Sequence, residues 1–155
     1  MIRGHPHICL YQPEIPQNTG NIGRLAAATG SRLHLIKPFG FSTDDKNLRR
    51  AGLDYWPFLD IEIHETLDDL LTQFPGQFAF LSKKATKPFF AIPDTCQLLI
   101  FGRETTGLPD ALFEKYPQDF YRIPMYHPGV RSLNLANAVS AVLYDRIGRL
   151  RSDHT

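Results

Sequence analysis

Three stretches of the sequence put residues able to do chemistry at close spacing. The first, Pro13-Glu-Ile-Pro-Gln-Asn-Thr-Gly-Asn-Ile-Gly-Arg, packs polar amides, two glycines and Arg24 into a strand-to-helix turn, which can present backbone N–H donors to an anion. Arg24, about one helical turn after Asn21, carries a planar guanidinium fork suited to phosphate, although arginine also tolerates an exposed helix position with no function. The second stretch, Leu99-Ile-Phe-Gly-Arg-Glu-Thr-Thr-Gly-Leu-Pro, is an apolar run opening into a glycine-bracketed acidic loop. Gly102 either admits a ligand against the backbone or serves a turn that needs positive φ; Glu104 accepts hydrogen bonds from ligand or backbone, caps the following helix, or faces water. The third, Ile123-Pro-Met-Tyr-His-Pro-Gly-Val-Arg-Ser-Leu-Asn-Leu-Ala-Asn-Ala-Val, is a strand end, a proline and glycine loop, and then Ser132 placed as an N-cap. Asn134 and Asn137 are three apart, share a helix face, and need partners in a ligand or in the loop itself.

The elements that must position these loops alternate along the chain. Strands are expected at His7–Tyr11, Leu33–Lys37, Ile61–Ile63, Gln77–Ser82, Gln97–Phe101 and Phe120–Ile123, six in all, from apolar runs bounded by turn residues. Helices are expected at Ile22–Thr29 with Gly30 as its left-handed terminator, Lys46–Ala51 closed by Gly52, Leu67–Phe74 opened by Thr66 with Asp69 three residues on, Pro109–Tyr116, and Leu133–Leu150. The last is the clearest, because Leu135, Ala138, Val139, Val142, Leu143, Ile147 and Leu150 follow a helical period. Such alternation predicts a single α/β domain, a mainly parallel sheet of about six strands with helices on both faces. In such sheets ligands bind beyond the carboxyl ends of strands, where these loops lie.

Composition narrows the chemistry. With 155 residues, 43% hydrophobic and 21% charged, the chain reads as one globular domain able to bury roughly 70% of its unfolded surface without disulfide or metal. Cys9 and Cys96 lie in or beside apolar runs without paired spacing, and no apolar stretch approaches the ~20 residues of a membrane span, so a cytoplasmic protein is expected, with no membrane partner. The six histidines show no metal spacing such as HExxH, no Gly-x-Ser-x-Gly elbow accompanies a serine, and no Gly-x-Gly-x-x-Gly turn follows the first strand; no metal is expected. A net charge of +1 gives no global field for nucleic acid, so any RNA binding needs local clusters: Lys46, Arg49 and Arg50; Lys83, Lys84 and Lys87; and Arg131. Tyr126 and Trp56 can stack on unpaired bases or pack within the protein.

Taken together, the three loops resemble the three signature motifs of the SPOUT methyltransferases, in order and across almost the whole chain. More narrowly, LYQPEIPQNTGNIGRLAAATG, DDKNLRRAGLDY, FGRETTGLP and RIPM followed by RSLNLANAVSAVLYD are similar to the small bacterial tRNA (cytidine/uridine-34-2′-O)-methyltransferases. The resemblance implies a deep C-terminal trefoil knot, a homodimer with no appended RNA-binding domain, S-adenosylmethionine as methyl donor with S-adenosylhomocysteine as product, and a tRNA anticodon stem-loop as substrate. By position it implies a cofactor pocket of Phe80, Leu81, Gly102, Ile123, Met125, Ser132 and Leu133, and a catalytic centre of Arg24 supported by Asn18, Glu104 and Asn134. Lys46, Arg49, Lys83 and Arg131 are the substrate-binding cations expected with it, and the stripe of Val139, Val142 and Leu143 serves the dimer interface or the core. The loop from Tyr126 to Arg131 is a residue longer than in typical members.

Overall fold

The computed structural model describes residues 5–42, 46, 50 and 58–152. Among them six strands form one sheet: β1 (His7–Tyr11), β2 (Leu33–Ile36), β3 (Ile61–His64), β4 (Phe78–Leu81), β5 (Leu98–Phe101) and β6 (Phe120–Tyr121). The spatial order is β3-β2-β1-β5-β4-β6 and every pairing is parallel. Four α-helices lie wholly within the described residues: α1 (Pro16–Thr29), α2 (Leu67–Leu71), α3 (Asp110–Lys115) and α4 (Leu135–Ser152).

The apolar runs become strands because both faces of the sheet are covered, so consecutive residues are all buried. Ile8, Leu10, Leu33, Leu35, Leu99 and Phe101 point to one face, where Ile22 and Ala26 of α1 and Val139, Val142, Leu143 and Ile147 of α4 pack on them. Cys9, Ile36, Phe80, Leu98, Ile100 and Phe120 point to the other, under Leu67, Leu70 and Leu71 of α2 and Phe74. Each such side chain, fully buried, contributes roughly 1.5–3 kcal/mol. Val139, Val142 and Leu143 are thus core residues of this chain, since all three are fully buried against the sheet and α1.

Helix boundaries differ from the sequence expectation where tertiary partners replace local signals. Helix α1 starts at Pro16 rather than Ile22, with proline at its first turn, where a missing N–H costs nothing. Gly30 does end it in the left-handed region at φ 68°, its N–H donating to the carbonyls of Ala26 and Ala27. Thr66 caps α2 by accepting the Asp69 N–H at 3.2 Å. Helix α4 begins at Leu135 and its cap is Asn134, not Ser132: the Asn134 Oδ1 accepts the N–H groups of Ala136 at 2.9 Å and Asn137 at 3.4 Å. Pro109 stands immediately before α3. Within the stretch expected to form a helix at Lys46–Ala51, Lys46 and Arg50 are helical and exposed; Arg49, like Trp56, lies outside the described residues.

Candidate active site

A cavity of about 420 Å³ opens beyond the carboxyl ends of β4 and β5. It is bounded by Ile15 and Asn18 from the loop after β1 and the start of α1, by Leu81 to Lys84 after β4, by Phe101 to Leu108 after β5, and by Ile123, Met125 and Arg131 to Leu135 ahead of α4. The sequence runs from β1 to β2 and β3 on one flank, while β5 and β4 lie on the other. The reversal of direction between β1 and β5 leaves a crevice of the kind where open parallel sheets bind ligands.

The loop after β5 is folded back on itself. Arg103 and Gly107 exchange backbone hydrogen bonds of 3.2 and 3.0 Å, with Gly107 at φ 68°. Gly102 matters for a reason other than turn conformation: a Cβ there would lie 2.4 Å from the Gly107 carbonyl carbon and 2.5 Å from the Leu108 nitrogen. Only glycine lets the two ends of this hairpin pass. The close approach anticipated at Gly102 is therefore by the protein's own backbone, which forms the cavity wall.

This hairpin is clasped to the first loop by two carboxylates reaching in opposite directions. Glu104 Oε2 accepts the N–H of Glu14 at 2.9 Å and of Ile15 at 2.7 Å, while Glu14 Oε1 accepts the Thr105 N–H at 3.1 Å and hydroxyl at 2.8 Å. Arg103 also donates to the Gln12 amide oxygen. Since Ile15 precedes α1 and offers no capping side chain, Glu104 acts as its cap from the far end of the sequence. Partial burial pushes the Glu104 carboxyl up, against the lowering effect of those N–H donors; the Thr105 hydrogen bonds hold Glu14 below its ordinary value.

Asn18 and Asn134 meet across the cavity, the Asn134 Nδ2 donating to the Asn18 Oδ1 at 3.2 Å, so first and third loops are joined as well. Around them the wall is apolar at Leu81, Ile123, Met125, Leu133 and Leu135, and cationic at Lys83, Lys84 and Arg131. Lys84 is engaged with Asp110.

The cavity thus gathers Asn18, Glu104, Asn134, Leu81, Gly102, Ile123, Met125, Ser132, Leu133, Lys83 and Arg131. It leaves out Phe80, which alternation along β4 turns to the opposite face, stacked on Phe120 at 4.7 Å between ring centres and on Tyr116 at 5.6 Å. Arg24 and Lys46 also lie outside its lining, both exposed. Residues that sequence reasoning passed over are Ile15, Thr105, Leu108 and Ala138. The Thr-Thr-Gly-Leu run flanking Glu104 was the available signal, since a four-residue loop between Gly102 and Gly107 must close on itself.

The chain matches the SpoU rRNA Methylase family over residues 5–144. It is similar to a tRNA (cytidine(34)-2′-O)-methyltransferase of Yersinia pestis, 48% identical over 90% of each chain, and to one of Escherichia coli strain K12, 47% identical over 90% of each. A solved structure described as giving structural insights into the 2-OH methylation of C/U34 on tRNA superposes with a TM-score of 0.87 at 40% identity, covering 96% of this chain and 98% of that one.

Proposed function

Because the chain belongs to the SpoU rRNA methylase family, we propose that it is an S-adenosylmethionine-dependent enzyme that methylates the 2′-oxygen of the wobble ribose, cytidine or uridine at position 34, in tRNA anticodon loops. The observation that carries this reading is the convergence of three loops, distant in sequence, on one cavity. Its volume of about 420 Å³ suits a nucleoside-sized ligand, since small-molecule sites run from roughly 300 to 1,000 Å³. The apolar walls of Leu81, Ile123, Met125 and Leu133 accommodate an adenine, and the folded-back loop at Gly102 together with Ser132 supplies polar backbone and hydroxyl groups. When bound there, S-adenosylmethionine supplies a methyl made electrophilic by its sulfonium.

The protein's own share is chiefly placement. Holding a ribose hydroxyl in line is worth ~7 to 11 kcal/mol, more than a modest proton-transfer contribution. Asn18 and Asn134 orient the hydroxyl from the inner wall, and Glu104 keeps the first loop in register with the hairpin. Lys83 and Arg131 receive RNA phosphates at the rim. Arg24 grips the phosphate next to the reacting ribose; its planar guanidinium fork suits it to clamp a phosphate. It stands six residues beyond Asn18, about 9 Å further along α1, so it serves the site from a subunit boundary. A homodimer is part of the reading, supported by the exposed large apolar side chains of Tyr126, Val130 and Leu133 in the loop ahead of α4 and Tyr144 on α4, as are a knotted C-terminus, a single catalytic domain and a cytoplasmic location. No helix among the described residues is long and apolar enough to cross a membrane.

The test is methyl transfer from labelled donor to a panel of anticodon stem-loops, including one with 2′-deoxyribose at the wobble position. Transfer is expected to the ribose form and not to the deoxy form, and Arg24→Lys should lose about 10²-fold, the cost of misplacing reactants. Methylation at another tRNA position or of ribosomal RNA would move the substrate; donor binding without transfer to any RNA would leave an RNA-binding protein.

A further inference from the structure

Away from the cavity, parallel register brings three histidines into one row. His34 lies beside Cys9 and Glu62, and His64 beside Ile36, so His7, His34, Glu62 and His64 share one face of β1, β2 and β3. His7 Nδ1 and His34 Nε2 are 2.9 Å apart, as are His34 Nδ1 and His64 Nε2, each pair sharing a hydrogen. Glu62 Oε1 reaches to 3.7 Å from His64 Nε2. His34 and His64 are buried, and the Phe74 ring sits edge-on at 4.9 Å from His7 and 6.1 Å from His34. Valine or isoleucine would fill these positions without the cost of burying imidazole.

We propose that His34 Nδ1, His64 Nε2 and a Glu62 carboxylate oxygen form a site for a divalent transition-metal ion of the zinc and nickel class, clipping edge strand β3 to β2. The three ligand atoms lie within 4.8 Å of one another. Around zinc, bond lengths of about 2.0 to 2.2 Å place tetrahedral ligands about 3.4 Å apart. The imidazole pair need open by only about half an ångström from 2.9 Å while the carboxylate closes in. Two imidazoles and one carboxylate select zinc, nickel or copper over magnesium or calcium, and three protein ligands leave a fourth position for water.

The surroundings already orient the ligands as a metal requires. His34 presents its other nitrogen, Nε2, to His7 Nδ1, the outer hydrogen bond that fixes a ligating ring and its tautomer. Arg32 lies 3.6 Å from Glu62 Oε2, leaving Oε1 turned toward His64, and is itself held by Asp60 at 2.7 Å. The hydrogen shared by His34 Nδ1 and His64 Nε2 gives way to the ion by moving to the far nitrogen of the ring that carries it, so each ligating ring then holds its one N–H on the nitrogen turned away from the metal. The half-exposed Glu62 on the edge strand gives the ion its way in.

Calorimetric titration of chelator-stripped protein with Zn2+ tests this without reference to methyl transfer. About one equivalent should bind, raising the thermal midpoint, and both His64→Asn and Glu62→Gln should weaken binding by at least about tenfold, with His127→Asn unchanged. Absence of stoichiometric uptake, or wild-type affinity in the Glu62 and His64 variants, overturns the proposal. If His64→Asn does not fold, Glu62→Gln decides, since its side chain stands partly in solvent.

Discussion

On the β2 and β3 flank of β1, inward polar groups satisfy one another under Phe74; on the β5 flank they line an open cavity and are held in place from outside. The histidine row owes its geometry to strand register, which a single pairing fixes for every residue. The cavity owes its geometry to loops, each fastened by side chains of another: Glu104 to the first, Glu14 to the second, Asn134 to α1. A site built on register tolerates change in its neighbours, whereas a site built on loops fails when one fastening is lost.

The sharpest way to break this contrast is Gly102→Ala. Its Cβ would sit 2.4 Å from backbone, so the hairpin must shift, and methyl transfer should fall about 10²-fold with roughly 1–3 kcal/mol of stability. Steady-state kinetics and melting curves check both; normal turnover would remove this loop from the site.

Next in size is Asn134→Ala, which removes the cap of α4 and orphans the buried amide oxygen of Asn18, for about 2 kcal/mol in total. Ser132→Ala should stay within about 0.5 kcal/mol, as it carries no cap. Urea unfolding of the pair distinguishes the two assignments.

The smallest effect near neutrality comes from the histidine row. Burial, reinforced by neighbouring His7 and His64, holds His34 down to about 3, against 6.5 when unfolded. The unfolded state therefore binds more protons between those values, and stability falls as pH drops from 6.5 toward 3 while staying flat above. Urea midpoints at pH 7 and 5, in chelator, should show that fall in the wild type and a shallower one in His34→Asn.

Much of the fold was legible because apolar runs such as Ile8–Leu10, Leu33–Ile36 and Leu98–Phe101 need both faces covered, and because α4 keeps a strict helical period. The first turns of α1 were not: proline, asparagine, threonine and glycine have weak helix propensity, and their partner, Glu104, is 89 residues from Ile15. Alternation separates Phe80 from Leu81 but does not say which faces the cavity; only the helices packed on each face decide that. Asn134 was picked out as a polar residue needing a partner, yet its capping role went to Ser132 because both suit an N-cap. The histidine row carries no spacing signal, since positions 7, 34 and 64 meet only through pairing between three strands.

The crossed carboxylates of Glu14 and Glu104 also determine how the cavity is filled. Parting the first loop from the hairpin means breaking every bond of the clasp at once, so that side is a hinge post rather than a door. Opposite it, Tyr126 to Asn134 are exposed without interruption. Solvent therefore reaches the cavity rim along this stretch, which is tied to α1 through Asn134, while the clasped side keeps its shape.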